Sequence, residues 1–202
     1  MTNDTLTPET GSFGFTEYPP ALLALGDLKL DPAGPFYPFM LTFLAASAGL
    51  TAVYDAKHYA DFMQGTDGIF PAKALAAKVS LADCVGSVRA GALAQQEAEI
   101  RLCGMLMNSA YESLDDAARA KVNSNQVFQF FRHVRNAASH GNKWHFDIRN
   151  PTLPAAWKHL VLDDTRKGNA NPLQGQQCIY GSVWPGDLLF LLRDVETLLA
   201  TP

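Results

Sequence analysis

A chain of 202 residues with 48% hydrophobic and 18% charged content can form one domain with extensions and bury a sizeable core. Its formal net charge of −4 excludes a protein that coats nucleic acid through a broad basic surface, while leaving room for a small local basic site. Cys84, Cys103 and Cys178 stand far apart and form no CxxC pair. That spacing argues against a disulfide framework or a zinc site, and for buried reduced thiols in a cytoplasmic protein.

Residues 1–34 are rich in Gly, Pro and Thr and read as an irregular arm, with a helical turn expected over 19–25. Phe13, Phe15 and Tyr18 predict that the arm packs on the body. The first ten residues place no positive charge before an apolar run, so no secretory signal is expected. Residues 36–54 are the one stretch that suggests a membrane span. Pro38, Thr42, Ser47, Gly49 and Thr51 interrupt it, so a buried core helix over about 35–62 is expected, and no membrane partner. Gly65 and Gly68 then break the chain.

A short helix is expected over residues 71–78. A long one is expected over about 81–112, where Val88, Ala92, Leu93, Ile100, Cys103, Leu106, Met107 and Tyr111 recur at intervals of three and four. Residues 113–122 read as a charged, alanine-rich turn of helix, and Asn123, Ser124 and Asn125 as the cap of the next one.

That next stretch, residues 126–142 (QVFQFFRHVRNAASHGN), organises the rest. At 3.6 residues per turn, Val127, Phe130, Phe131, Val134, Ala137 and Ala138 form an apolar stripe. Gln129, Arg132, His133, Asn136 and His140 fall on the other side, with Arg135 at its edge. Gly141 supplies the residue that most often ends a helix. Beyond it, residues 144–148 alternate like a strand, and 157–163 is expected to pair with 176–180 around the polar loop 164–175. A last helix begins at Trp184, with Leu188, Leu189, Leu191, Leu192, Val195, Leu198 and Leu199 on its apolar face. The expected fold is all-α: an antiparallel helical bundle of four to five main helices over 35–202, with a small hairpin inserted at about 144–182.

Arg135, Asn136 directly after it, and His140 four residues further on, at the end of an amphipathic helix, resemble the motif of the HEPN superfamily. The resemblance covers about 35–141 and the last helix. It implies a helical bundle acting as a metal-independent endoribonuclease in bacterial defence or a toxin–antitoxin pair. It further implies a homodimer that joins two motif helices, RNA as substrate, a 2′,3′-cyclic phosphate product, no cofactor or metal, and control by an antitoxin or other regulatory protein. The chemistry suits the residues. His140 can transfer the 2′-hydroxyl proton, Arg135 can hold phosphate oxygens through parallel hydrogen bonds, and Asn136 can orient either.

Arg132, His133, Lys143 and His145, with Arg149 beyond them, add positive character near the motif and are expected to guide an RNA backbone. Phe128 projects from the polar side and calls for a partner, either another helix of the chain or the same helix of a second copy; it is expected at the dimer interface. Each residue also has a plainer role open to it. Arg135 can bridge to a carboxylate of the bundle, His140 can interact with the helix dipole, and His133 and His145 can be packing residues. A bundle of this kind without catalysis, binding RNA, a nucleotide or a protein, is the alternative function.

Overall fold

The computed structural model describes residues 23–25, 28–55, 69–72, 77–146 and 154–201. Phe13, Phe15, Tyr18, His58, Gly65, Gly68 and Arg149 lie outside them. Among the described residues the chain is mostly helical, with six α-helices and three two-stranded antiparallel sheets. In order these are β1 (Leu23–Leu25), β2 (Leu28–Leu30), α1 (Tyr37–Tyr54), β3 (Ile69–Ala72), β4 (Ala77–Ser80) and α2 (Leu81–Ser87). There follow α3 (Gln95–Glu112), α4 (Asp116–Val122), α5 (Gln126–Ser139), β5 (Ala155–Trp157), β6 (Leu160–Leu162) and α6 (Pro185–Ala200).

The core forms where α5 meets α3 and α6. Phe130, Phe131, Val134 and Ala137 are buried from α5, Cys103, Leu106, Met107 and Ala110 from α3, and Leu188, Leu191, Leu192 and Val195 from α6. Burying each large side chain contributes roughly 1.5–3 kcal/mol, so this three-helix junction dominates the stability. Helices α3 and α5 run antiparallel, because Gly104 lies opposite Ala138 while Glu112 reaches Arg135. The caps follow local chemistry. Asp115 accepts from the backbone N–H of Ala118 (2.7 Å) and Asn125 from that of Val127 (2.9 Å). At the start of α6, Asp187 accepts from the N–H of Trp184 (2.8 Å). A buried carboxylate, Glu196, accepts from the N–H of Phe36 (2.7 Å) and so ties the start of α1 to α6. Burial raises its pKa above the ordinary glutamate value, partly offset by that hydrogen bond.

Several expectations are corrected. The described part of the arm is a hairpin, β1 with β2, and it places Leu28 and Leu30 in the core. The helix expected over 71–78 is replaced by β3 paired with β4. Pro71 sits in a two-stranded sheet, whose strands are both edges and tolerate its missing N–H. The long helix expected over 81–112 is interrupted. A π-helical turn at Val88–Ala92 leads to Gly91 at φ 94°, and Leu93 and Ala94 are extended before α3 begins. Only glycine enters that conformation freely, so the helical periodicity runs across a break that Gly91 makes.

The hairpin before α6 pairs β5 with β6 across Lys158 and His159, not 157–163 with 176–180. Its turn uses Lys158 at φ 53° without the Asn-Gly or Asp-Gly that announces such turns. Gln177 bridges Lys143 instead. Helix α1 was expected as a buried core helix. It is the one described helix long and apolar enough to cross a membrane, and only Met40, Phe43 and Val53 are buried in it. Two thiols match the expected burial, which pushes Cys103 up to about 12 and Cys178 higher still, whereas Cys84 is exposed.

Candidate functional site

The chain leaves α5 through two consecutive left-handed residues, Gly141 (φ 68°) and Asn142 (φ 63°). Glycine accepts that conformation at no cost and asparagine is among the few others that tolerate it. Asn142 is buried, and its amide group donates to the carbonyl of Ile179 (2.9 Å) and accepts from the N–H of the same residue (2.7 Å). The N–H of Cys178 bonds the Asn142 carbonyl (3.0 Å), and Trp144 exchanges backbone bonds with Gly175 and Gln176 (2.8 Å each). Residues 141–146 are therefore strapped along 174–179.

This strap decides where two imidazoles sit. His140, exposed at the helix end, stacks on half-buried His145 with ring centroids 4.1 Å apart and planes 22° from parallel. Gln174 accepts from the N–H of Phe146 (2.7 Å) and turns its Nε2 to within 3.4 Å of Nδ1 of His145. The second ring is thus held from behind while the first faces solvent. Stacked rings direct their nitrogens along their own edges, so both edges can meet a ligand placed across the stack. Among the described residues no group of three or more His, Cys, Asp or Glu is placed to hold a metal ion.

Arg135 occupies a different side of the helix. Its Nη2 donates to Oε1 of Glu112 (2.5 Å), its Nη1 reaches Oδ1 of Asn136 (3.5 Å), and its guanidinium lies 4.9 Å over the Tyr111 ring. Arg119 approaches the same ring at 4.6 Å and the other oxygen of Glu112 at 3.6 Å. Ion pairing and cation–π contact thus engage Arg135 with α3, the plainer role left open to it. Next along the helix, the Ser139 hydroxyl donates to Oδ1 of Asn108 (2.8 Å).

The residues expected to guide RNA divide sharply. Lys143 is exposed and lines an open groove of about 950 Å³ between α3 and the end of α5, with Arg101, Gly104, Met105, Asn108 and Ala138. His145 is half-buried beside His140. Arg132 is half-buried and bonds Oδ1 of Asn123 (3.0 Å) and Oε1 of Gln129 (3.3 Å). His133 corrects the expectation outright: at 1% exposure, with its ring 5.3 Å from that of Phe146, it cannot meet RNA. The polar side of α5 is covered because the loop carrying Phe146 crosses it. Phe128 is corrected too, for it is 1% exposed and packed against Tyr111 and Phe131, at 6.4 and 5.9 Å. Of the two partners open to it, the structure supplies another helix of the same chain, through Tyr111 of α3.

Sequence reasoning missed Asn142, Gln174, Glu112 and Arg119. The Gly141–Asn142 pair carried a signal for Asn142, since Asn is the residue that follows Gly into left-handed turns. The others act through contacts 23 or more residues apart in the chain or across a helix break, and single positions gave none. No family model, curated protein or solved structure matches the chain.

Proposed function

We propose that this chain is a HEPN-like, metal-independent endoribonuclease of a bacterial defence or toxin–antitoxin system, working in the cytoplasm. His140 is its proton-transfer group, and Arg135 and Asn136 hold and orient the scissile phosphate. One observation carries this reading: an accessible imidazole, backed by a second one, stands at the end of the helix that bears Arg135 and Asn136. In the reaction the 2′-oxygen attacks phosphorus, its proton passes to an unprotonated imidazole, and the 5′-oxygen leaves with a proton from an imidazolium. Acid and base come from two copies of His140 in a homodimer or from His140 with His145. An antitoxin or other regulatory chain would cover the same helix end.

The test is incubation of the purified chain with RNA in EDTA beside His140→Ala. General acid–base catalysis contributes about 10²- to 10⁴-fold, so the variant should lose nearly all cleavage. Equal cleavage by both proteins, or none by either, removes the proposal. The second reading is a catalytically silent bundle that binds RNA, a nucleotide or a protein partner. The Arg135–Glu112 ion pair favours it, because it gives Arg135 an intrachain carboxylate partner in place of a reacting phosphate. Under that reading Arg135→Ala weakens binding and no RNA product ever forms.

A further inference from the structure

Two guanidiniums flank one aromatic ring and share one carboxylate. Arg119 from α4 and Arg135 from α5 lie 4.6 and 4.9 Å from the Tyr111 ring centre, and each reaches one oxygen of Glu112. The two arginine side chains are 27% exposed, so their guanidiniums are partly desolvated beside the ring. Glu112 is 59% exposed and is the better-solvated member. Arg119 also donates to the Tyr111 carbonyl (3.1 Å) and lies 3.5 Å from Asp116, which is fully solvent-exposed and screened. The Nε–H of both arginines is buried and meets no acceptor among the described residues. The cluster therefore presents a preorganised pair of cations with one partly solvated anion bridging them.

The pair also stands just past one end of the groove. Glu97, Arg101, Gly104, Met105 and Asn108 line the groove along one stripe of α3, and Glu112 continues that stripe by one turn. From Arg101 to Glu112 the helix advances about 16 Å. Lys143 and Arg101, the latter paired with Glu97 at 2.6 Å, line the groove beside the end of α5. Arg119 with Arg135 lies past its other end, about one turn of α3 beyond the lining residue Asn108.

We propose that Arg119 and Arg135 form a phosphate-gripping fork for single-stranded RNA lying along the α3–α5 groove, and that the Glu112 carboxylate occupies the fork as an internal stand-in until RNA displaces it. The naming of RNA as ligand rests on the ribonuclease reading. The fork itself rests on the cluster. Displacement is feasible, because the Glu112 side chain is more than half exposed and regains hydration on leaving, while guanidinium–phosphate pairs are among the stronger charge-assisted contacts.

The proposal requires that removing the Glu112 carboxylate tighten binding, and by more than removing an exposed carboxylate elsewhere, as in Asp163→Asn. The probe is a fluorescent 2′-O-methyl oligoribonucleotide, which cannot be cleaved, titrated with the full-length chain at several salt concentrations. Glu112→Gln should bind about threefold tighter or better, in keeping with the loss of one surface ion pair. Arg119→Ala should bind about tenfold weaker and flatten the log–log salt dependence by about one phosphate contact. Thermal melts accompany each variant, so a misfolded Arg119→Ala is recognised and Arg119→Lys, which keeps charge but loses the fork, takes its place. Unchanged or weaker binding by Glu112→Gln overturns the proposal. So does tightening toward inorganic phosphate without tightening toward the oligonucleotide. Cleavage in the His140→Ala comparison is scored separately. His140-dependent cleavage without Glu112→Gln tightening removes the fork alone, and tightening without cleavage removes the ribonuclease alone.

Discussion

The first turns of α5 and its last turn are written in the same alphabet and come to opposite ends. In the middle of α5 two polar residues are absorbed: Gln129 is 2% exposed and donates to the carbonyl of Asn123, and His133 lies against Phe146, while Arg132 stays half-buried. From Arg135 onward the polar groups reach the surface, where His140 and Lys143 are exposed and Arg135 is half-covered. The helical period is the same throughout. What differs is the company the helix keeps, because residues 141–146 fold back over its earlier turns and leave its end open. Polar residues become internal wiring where another segment crosses them, and candidate chemistry where nothing does.

Substitutions can break this contrast. The largest expected effect is Phe131→Ala, which removes a ring buried against Phe36, Tyr111 and Phe128. Chemical denaturation should show a loss of about 3–5 kcal/mol, against less than about 0.5 kcal/mol for His140→Ala. Comparable losses would mean that the end of α5 is as structural as its middle.

Asn142 comes next. It looks like part of the accessible end and behaves like wiring. Asn142→Gly keeps the left-handed backbone but loses both bonds to Ile179, so about 1–3 kcal/mol should disappear from the denaturation midpoint. Chemical shifts of His145 should also move as the strap loosens. A silent Asn142→Gly would detach the strap from the position of the imidazoles.

The smallest effect concerns Glu196. Its folded-state pKa is raised by burial, so the folded protein binds the proton more tightly than the unfolded chain between the two values. Stability must then fall as pH rises through that window, and be fully present below the ordinary glutamate pKa. Glu196→Gln keeps an acceptor for Phe36 and should remove this slope. Wild type and variant titrating in parallel would show that the buried carboxylate is better solvated than its contacts indicate.

The legibility of the chain follows the same division. The periodic α5 and α6 stripes and the cap at Asn125 could be read directly, because each depends on residues within a turn or two. The break at Gly91 was invisible to periodicity, since apolar spacing continues across it. The β5–β6 turn was hidden because Lys158 adopts a left-handed backbone without glycine or asparagine to announce it. At the site, the accessible His140 and Lys143 were legible from position alone. The burial of His133 and Phe128 was not, because Phe146 and Tyr111 cover them from elsewhere in the chain. Nor was the engagement of Arg135, which depends on Glu112, 23 residues away.

The most direct measurement is the mass of the 3′ ends left when the intact chain meets RNA in EDTA, with a fully 2′-O-methylated copy of the same RNA alongside. The account expects 2′,3′-cyclic phosphate ends from the unmodified strand, an intact methylated strand, and neither product from His140→Ala. Cleavage of the methylated strand, or cyclic ends produced equally well without His140, would contradict it.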